Sequence, residues 1–165
     1  MRYLSVGALA CLGLGLASVV QAQAPDPQVV APIHKFLEAF NKGDAAGAAG
    51  THAATAELVI VDEVSPYVWH GAQAFQSWAA DLERHDKAEA VTDQHVALGA
   101  ITRVESDGTQ AYVVAPSVYT FKQKGVSMRE AAHMTFTLKK GPSGWLIQGW
   151  TWTGPKPQKA PAPKP

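Results

Sequence analysis

Apolar residues first recur at helical spacing: Val29, Val30, Ile33, Phe36, Leu37 and Phe40 fall on one face of a helix. Asp26 can cap this helix with Pro27 at its first position, where the missing N–H costs nothing. Pro32 lies inside the pattern and sets an alternative start near Ala31. Asn41-Lys42-Gly43-Asp44 reads as a stop followed at once by a new cap on Asp44, opening a short Ala/Gly-rich helix that runs to about His52. The period then changes. Ala56–Val64 is nearly continuous and β-branched, a strand suited to burial on both faces. Ser65–Gly71 is an aromatic loop, and Phe75, Trp78, Ala79 and Leu82 then mark one face of a third helix ending near His85. Four strands follow, at about Thr92–Glu105, Gln110–Lys122, Val126–Lys140 and Trp145–Thr153. The turn signals Ser106-Asp107-Gly108, Lys124-Gly125 and Gly141-Pro142-Ser143-Gly144 separate them.

Helices first, then long antiparallel strands, is an α+β layout: a curved sheet packed against three helices and curling into an open cone around a pocket. Two segments lie outside that domain, which spans residues 29–153. Residues 1–22 have a secretory-signal pattern, with Arg2 ahead of an apolar run from Leu4 to Val20 and small residues at Val20 and Ala22. They imply a periplasmic or secreted protein, with residues 23–28 as a short leader. From Gly154 to the end, Pro alternates with Lys and Ala, which reads as an extended, disordered tail.

Charge and cysteine content narrow the chemistry. The 165 residues carry 14 basic and 14 acidic side chains, a balance that suggests neither nucleic acid nor an anionic membrane as partner. The only cysteine, Cys11, sits inside the signal, so the mature chain offers no disulfide and no thiolate. None of the six histidines stands in a His-x-His or His-Glu-x-x-His arrangement, and no metal or other cofactor is expected.

Phe36-Leu-Glu-Ala-Phe40 with Lys42-Gly-Asp44, then Trp69-His-Gly71, then Gly144-Trp-Leu-Ile147 and Trp150-Thr-Trp152-Thr153 follow one another in a telling order. That order resembles the nuclear-transport-factor-2-like superfamily, and within it the SnoaL-like and steroid-isomerase-like proteins, secreted bacterial members above all. The resemblance covers about Val29 to Thr153. It implies a cone whose concave face binds a small apolar molecule, often within a homodimer. Family enzymes place a carboxylate in the cone, alone or with histidine or tyrosine, to move protons or eliminate water.

Asp62 and Glu63 end the first predicted strand, and strand alternation lets at most one of them face the cone. A carboxylate there would be desolvated and suited to acid–base work. Asp62, His70 and Tyr119 are the catalytic candidates, with helix capping or loop bonding as the plainer role for His70. Tyr67, Trp69, His70, Phe75, Trp78, Met134 and Phe136 are the candidate pocket residues. In the sheet, Ala132, Met134, Phe136 and Leu138 form the inner set, while His133, Thr135 and Thr137 face outward. Parity from Trp145 and Ile147 sends Trp150 and Trp152 to the outer face, where with His133 they would form a homodimer interface. A one-residue register shift would put them in the pocket instead. Three readings follow: binding of a small hydrophobic or aromatic molecule, proton-transfer catalysis (isomerase, cyclase or dehydratase), and a non-catalytic interaction module. The absence of a linear acid–base motif favours the first.

Overall fold

The computed structural model describes residues 26–161, so the signal segment lies outside the described residues. Helix α1 (Pro27–Asn41) takes the earlier of the two expected starts: Asp26 Oδ1 accepts the Gln28 N–H at 2.9 Å, with Pro27 in the first turn. Pro32 is absorbed inside the helix and buried; it forfeits only the bond to the Gln28 carbonyl, which sits at the exposed end. Asp44 caps the five-residue α2 (Ala45–Ala49) through the Gly47 N–H at 2.8 Å. The predicted Ala56–Val64 strand contracts to β1 (Val59–Val61), and the aromatic loop supplies an antiparallel partner, β2 (Val68–His70). Helix α3 (Ala74–Glu89) ends on Ala90 in a left-handed conformation.

The predicted Thr92–Glu105 strand breaks in two, β3 (Val91–Leu98) and β4 (Arg103–Ser106), which pair with successive stretches of β5 (Gln110–Gln123). Strands β5 and β6 (Val126–Gly141) form the long central hairpin. Its two-residue turn has Lys124 and Gly125 at φ 51° and 79°, the positive-φ pair that a tight hairpin requires. Strand β7 (Gly144–Thr153) pairs antiparallel with β6 and parallel with β1. The sheet order is β2-β1-β7-β6-β5-β3, with β4 alongside β5. Ile33 and Phe36 of α1 pack on its concave face with Ile60, Phe136 and Ile147, all at most 2% exposed. Asn41 ties α1 to β3, donating to the Val96 carbonyl at 2.9 Å and accepting its N–H at 2.8 Å. Among the described residues no helix is long and apolar enough to cross a membrane.

Two expectations are corrected here. The tail is not disordered from Gly154 onward. Strand β6 outruns β7, leaving an open edge, and the chain returns to cover it as β8 (Gln158–Lys159), opposite Met128 and Arg129. The Ala160 N–H then donates to the Ser127 carbonyl at 2.9 Å. The second correction concerns the tryptophans. Leu138 pairs with Ile147 but Thr137 pairs with Gly149, so Gln148 is an extra residue in β7. This bulge resets the alternation. Trp145 and Ile147 before it and Trp150 and Trp152 after it all point inward, and Trp150 is 5% exposed. Gly149, next to the bulge, lets β1 approach closely: a Cβ there would lie 2.9 Å from the Val59 carbonyl oxygen.

Candidate functional site

The cone encloses a cavity of about 520 Å³. Helix α1 contributes Phe36 and Phe40 to its wall, α3 contributes Trp78 and Leu82, and the sheet contributes Phe121, Met134, Trp150 and Trp152. Lys156 and Pro157, from the strap leading to β8, complete the rim. Polar groups gather on two sides of this aromatic wall.

The first group follows β1. The strand stops at Val61, so alternation no longer governs Asp62 and Glu63, and both line the cavity, against the expectation that only one could. Asp62 Oδ2 accepts Trp78 Nε1–H at 2.6 Å, and Oδ1 accepts the Glu63 N–H at 2.7 Å. Burial pushes the Asp62 carboxyl above its ordinary range, while these two donors and nearby His85 pull it back. Glu63 retains solvent exposure as a residue, yet its carboxyl is pushed up to about 8. Burial is the main cause, followed by the charge and hydrogen bonding of Glu130 and the charge of Asp62.

Glu130 lies behind this group on β6, 1% exposed, with Oε1 accepting Trp152 Nε1–H at 2.7 Å. Its carboxyl is also raised by burial, against the hydrogen bonds from Trp152 and Glu63. Its Oε2 is buried with no hydrogen-bond partner. Gly154 packs against it so closely that a Cβ would come within 2.3 Å of Oε1.

The second group is a chain of hydrogen bonds. Tyr119 O–H donates to Gln94 Oε1 at 2.5 Å, and Gln94 Nε2–H donates to Asp86 Oδ2 at 2.6 Å. Burial raises Asp86, against the Gln94 bond and His85. Tyr119 is raised by burial first and then by the surrounding carboxylates, so it stays a phenol and a donor. Behind the wall, Trp150 Nε1–H donates to His52 Nε2 at 3.1 Å. That leaves His52 Nδ1–H for the Ala48 carbonyl at 2.9 Å, and burial lowers this imidazole to about 4.

Asp62, Tyr119, Trp78 and Met134 are therefore brought to one cavity. His70 is not: it is exposed on β2, opposite Val59, and lies outside the cavity lining. Tyr67 is 57% exposed just ahead of β2 and lies outside the cavity lining. Trp69 is buried against α3, its Nε1–H on Asp81 Oδ2 at 2.8 Å, and Phe75 and Phe136 are core residues behind the cavity wall. Of the expected interface trio only His133 faces outward; the inward tryptophans remove the apolar patch on which a sheet-face dimer was expected. Glu130 was missed although its parity with Ala132, Met134 and Phe136 marks it as inward. Among the described residues no cluster of three or more His, Cys, Asp or Glu is arranged to hold a metal.

A cone of helices closed by a strongly curved, mainly antiparallel sheet is the nuclear-transport-factor-2-like fold, and solved structures of that class superpose on this chain. An NTF2-like superfamily protein from Salmonella enterica serovar Typhimurium matches with a TM-score of 0.65 at 15% identity, over 78% of this chain and 89% of its own. A ketosteroid isomerase-like protein from Erwinia carotovora atroseptica gives 0.59 at 21% identity, over 78% and 95%. An NTF2-like protein with a cystatin-like fold from Novosphingobium aromaticivorans gives 0.59 at 16% identity, over 76% and 78%. No family model matches the sequence, and neither does any curated protein. At these identities the likeness defines the fold, and function has to be argued from the site.

Proposed function

We propose that this is an exported protein whose cone takes up a small hydrophobic or aromatic molecule and holds one oxygen of it against the acidic wall. The observation that carries this reading is the cavity itself: aromatic walls around 520 Å³, with carboxyl groups and a phenol converging on it. Apolar walls supply affinity and the few polar groups fix orientation. A carboxyl kept protonated by burial donates to a carbonyl or ether oxygen of the bound molecule. A fluorescence titration with N-phenyl-1-naphthylamine tests uptake. Saturable one-to-one binding is expected, together with its loss in Met134→Trp, where the indole fills the cavity. Binding that survives in Met134→Trp would place the dye elsewhere and refute the reading. Native mass spectrometry of the same sample reports a co-purifying molecule and tests a homodimer, which now rests on fold likeness alone.

One observation favours proton transfer as a second reading. Asp62, fixed by the Trp78 and Glu63 N–H groups, stands beside Glu63, whose carboxyl remains largely protonated near neutral pH. Base and acid then share one wall, which suits removal of a proton next to a carbonyl with donation to its oxygen. Deuterium exchange into 2-tetralone in D2O, followed by NMR, checks this. Catalysed exchange should fall by about 10²-fold or more in Asp62→Asn, and equal rates for the two proteins would dismiss it.

A further inference from the structure

The strap that closes the rim carries the cavity's lysine, and its position is set by backbone pairing rather than by chance. Gly154 passes tightly over Glu130, β8 fixes Gln158 and Lys159 opposite Arg129 and Met128, and Lys156 lies between these two points. Pro155 and Pro157 flank Lys156 and restrict its backbone. On the other side of the strap is a second hollow of about 240 Å³, bordered by Arg129, Lys156, Lys159 and Glu130. Lys156 belongs to both spaces.

The charges of this hollow are unspent. Among the described residues the ion pairs involve Lys42, Arg84, Lys87, Arg103, Lys122, Lys124 and Lys139, and none involves Arg129, Lys156 or Lys159. Glu130, the acid of the hollow, is buried and engaged by Trp152. Asp62, Glu63 and Asp86 line the cone, but burial raises their carboxyls and so reduces the negative charge they set against an anion. Arg129, Lys156 and Lys159 border the hollow and attract one.

Resting on the small-molecule reading above, we infer that the strap forms an anion-binding subsite joined to the cone, so that the preferred occupant is an apolar molecule ending in a carboxylate. The apolar body lies against Trp78, Trp150 and Trp152, and the carboxylate meets Lys156, with Arg129 and Lys159 behind it. Lys156 is in this scheme the specificity-determining residue of the site.

Naphthalene-1-acetic acid and its neutral amide separate the two readings, because they share one apolar body. Isothermal titration calorimetry on the full chain should show the acid bound more tightly than the amide, by about three- to fivefold, the upper part of the range for exposed charge pairs. High salt should shrink that preference. Lys156→Gln should remove most of it and the combined Arg129→Gln, Lys156→Gln, Lys159→Gln variant all of it. The amide should stay within about twofold throughout, which also shows that the variants fold. If the amide binds and the wild-type chain shows no preference, or if the triple variant keeps it, the subsite is refuted and the cavity reading stands. If neither congener binds, both fall together.

Discussion

His52 makes a prediction about acid stability that can be worked through from its surroundings. The ring is 6% exposed and packs 4.9 Å from Phe36 and 4.6 Å from Phe75 between ring centroids. Its two nitrogens are committed, Nε2 as acceptor from Trp150 and Nδ1 as donor to Ala48, so a second proton would break the Trp150 bond and bring a charge into an aromatic core. The unfolded chain takes up a proton at this residue below about 6.5, whereas the folded chain refuses it until about 4. Stability is therefore lost as pH falls through that window. At about 1.4 kcal/mol per pH unit the loss is about 2 kcal/mol at pH 5 and approaches about 3 kcal/mol at pH 4. The raised carboxyls act in the opposite direction, gaining stability on acidification, so the wild-type curve alone cannot isolate His52. His52→Gln supplies the reference, since Gln can still accept from Trp150 but does not titrate. Urea unfolding of both proteins at pH 7, 6, 5 and 4 should show the wild type losing ground to the variant by these amounts. A gap between the two proteins that stays constant with pH would show that His52 is not held neutral in the fold.

Three further outcomes follow from the same geometry. Trp152→Phe removes the donor on buried Glu130 and should cost about 1–3 kcal/mol in urea unfolding, with Glu130→Gln in the same background recovering part of it. Gly149→Ala drives a methyl to 2.9 Å from the Val59 carbonyl oxygen and should cost about 1–3 kcal/mol by thermal or urea unfolding, while Gly71→Ala meets no atom and pays only for its positive φ. Glu63 loses its proton as pH rises through about 8, so affinity for an uncharged probe should weaken above that pH, and the weakening should vanish in Glu63→Gln.

The fold was legible because its signals are redundant. The apolar stripe from Val29 to Phe40, the β-branched run at Val59–Val61 and the Lys124-Gly125 turn each agree with their neighbours about one architecture. The site was legible only in part. Asp62, Trp78, Tyr119 and Met134 could be placed from strand ends and periodicity. Trp150 and Trp152 could not, because a single unpaired residue at Gln148 inverts their side and no local composition announces it. Glu130 could have been found, since it continues the inward series on β6 by plain alternation. His70 misled because an aromatic loop beside a helix start looks like a pocket mouth, whereas here that loop pairs with β1 and turns its histidine to solvent. The strap misled in the other direction. A Pro/Lys/Ala segment has little to bury, and what orders it is an unpaired edge more than twenty residues away in sequence.

The extra residue at Gln148 also governs how this strand can change over generations. Substitution at position 148 alters one half-buried amide side chain. Loss of the codon would instead restore uninterrupted pairing with β6, and either Trp150 and Trp152 or Trp145 and Ile147 would be turned out of the core together. Length is thus more tightly constrained than identity at this point in the chain. A deletion scan of β7 should find position 148 intolerant even where a substitution scan finds it permissive.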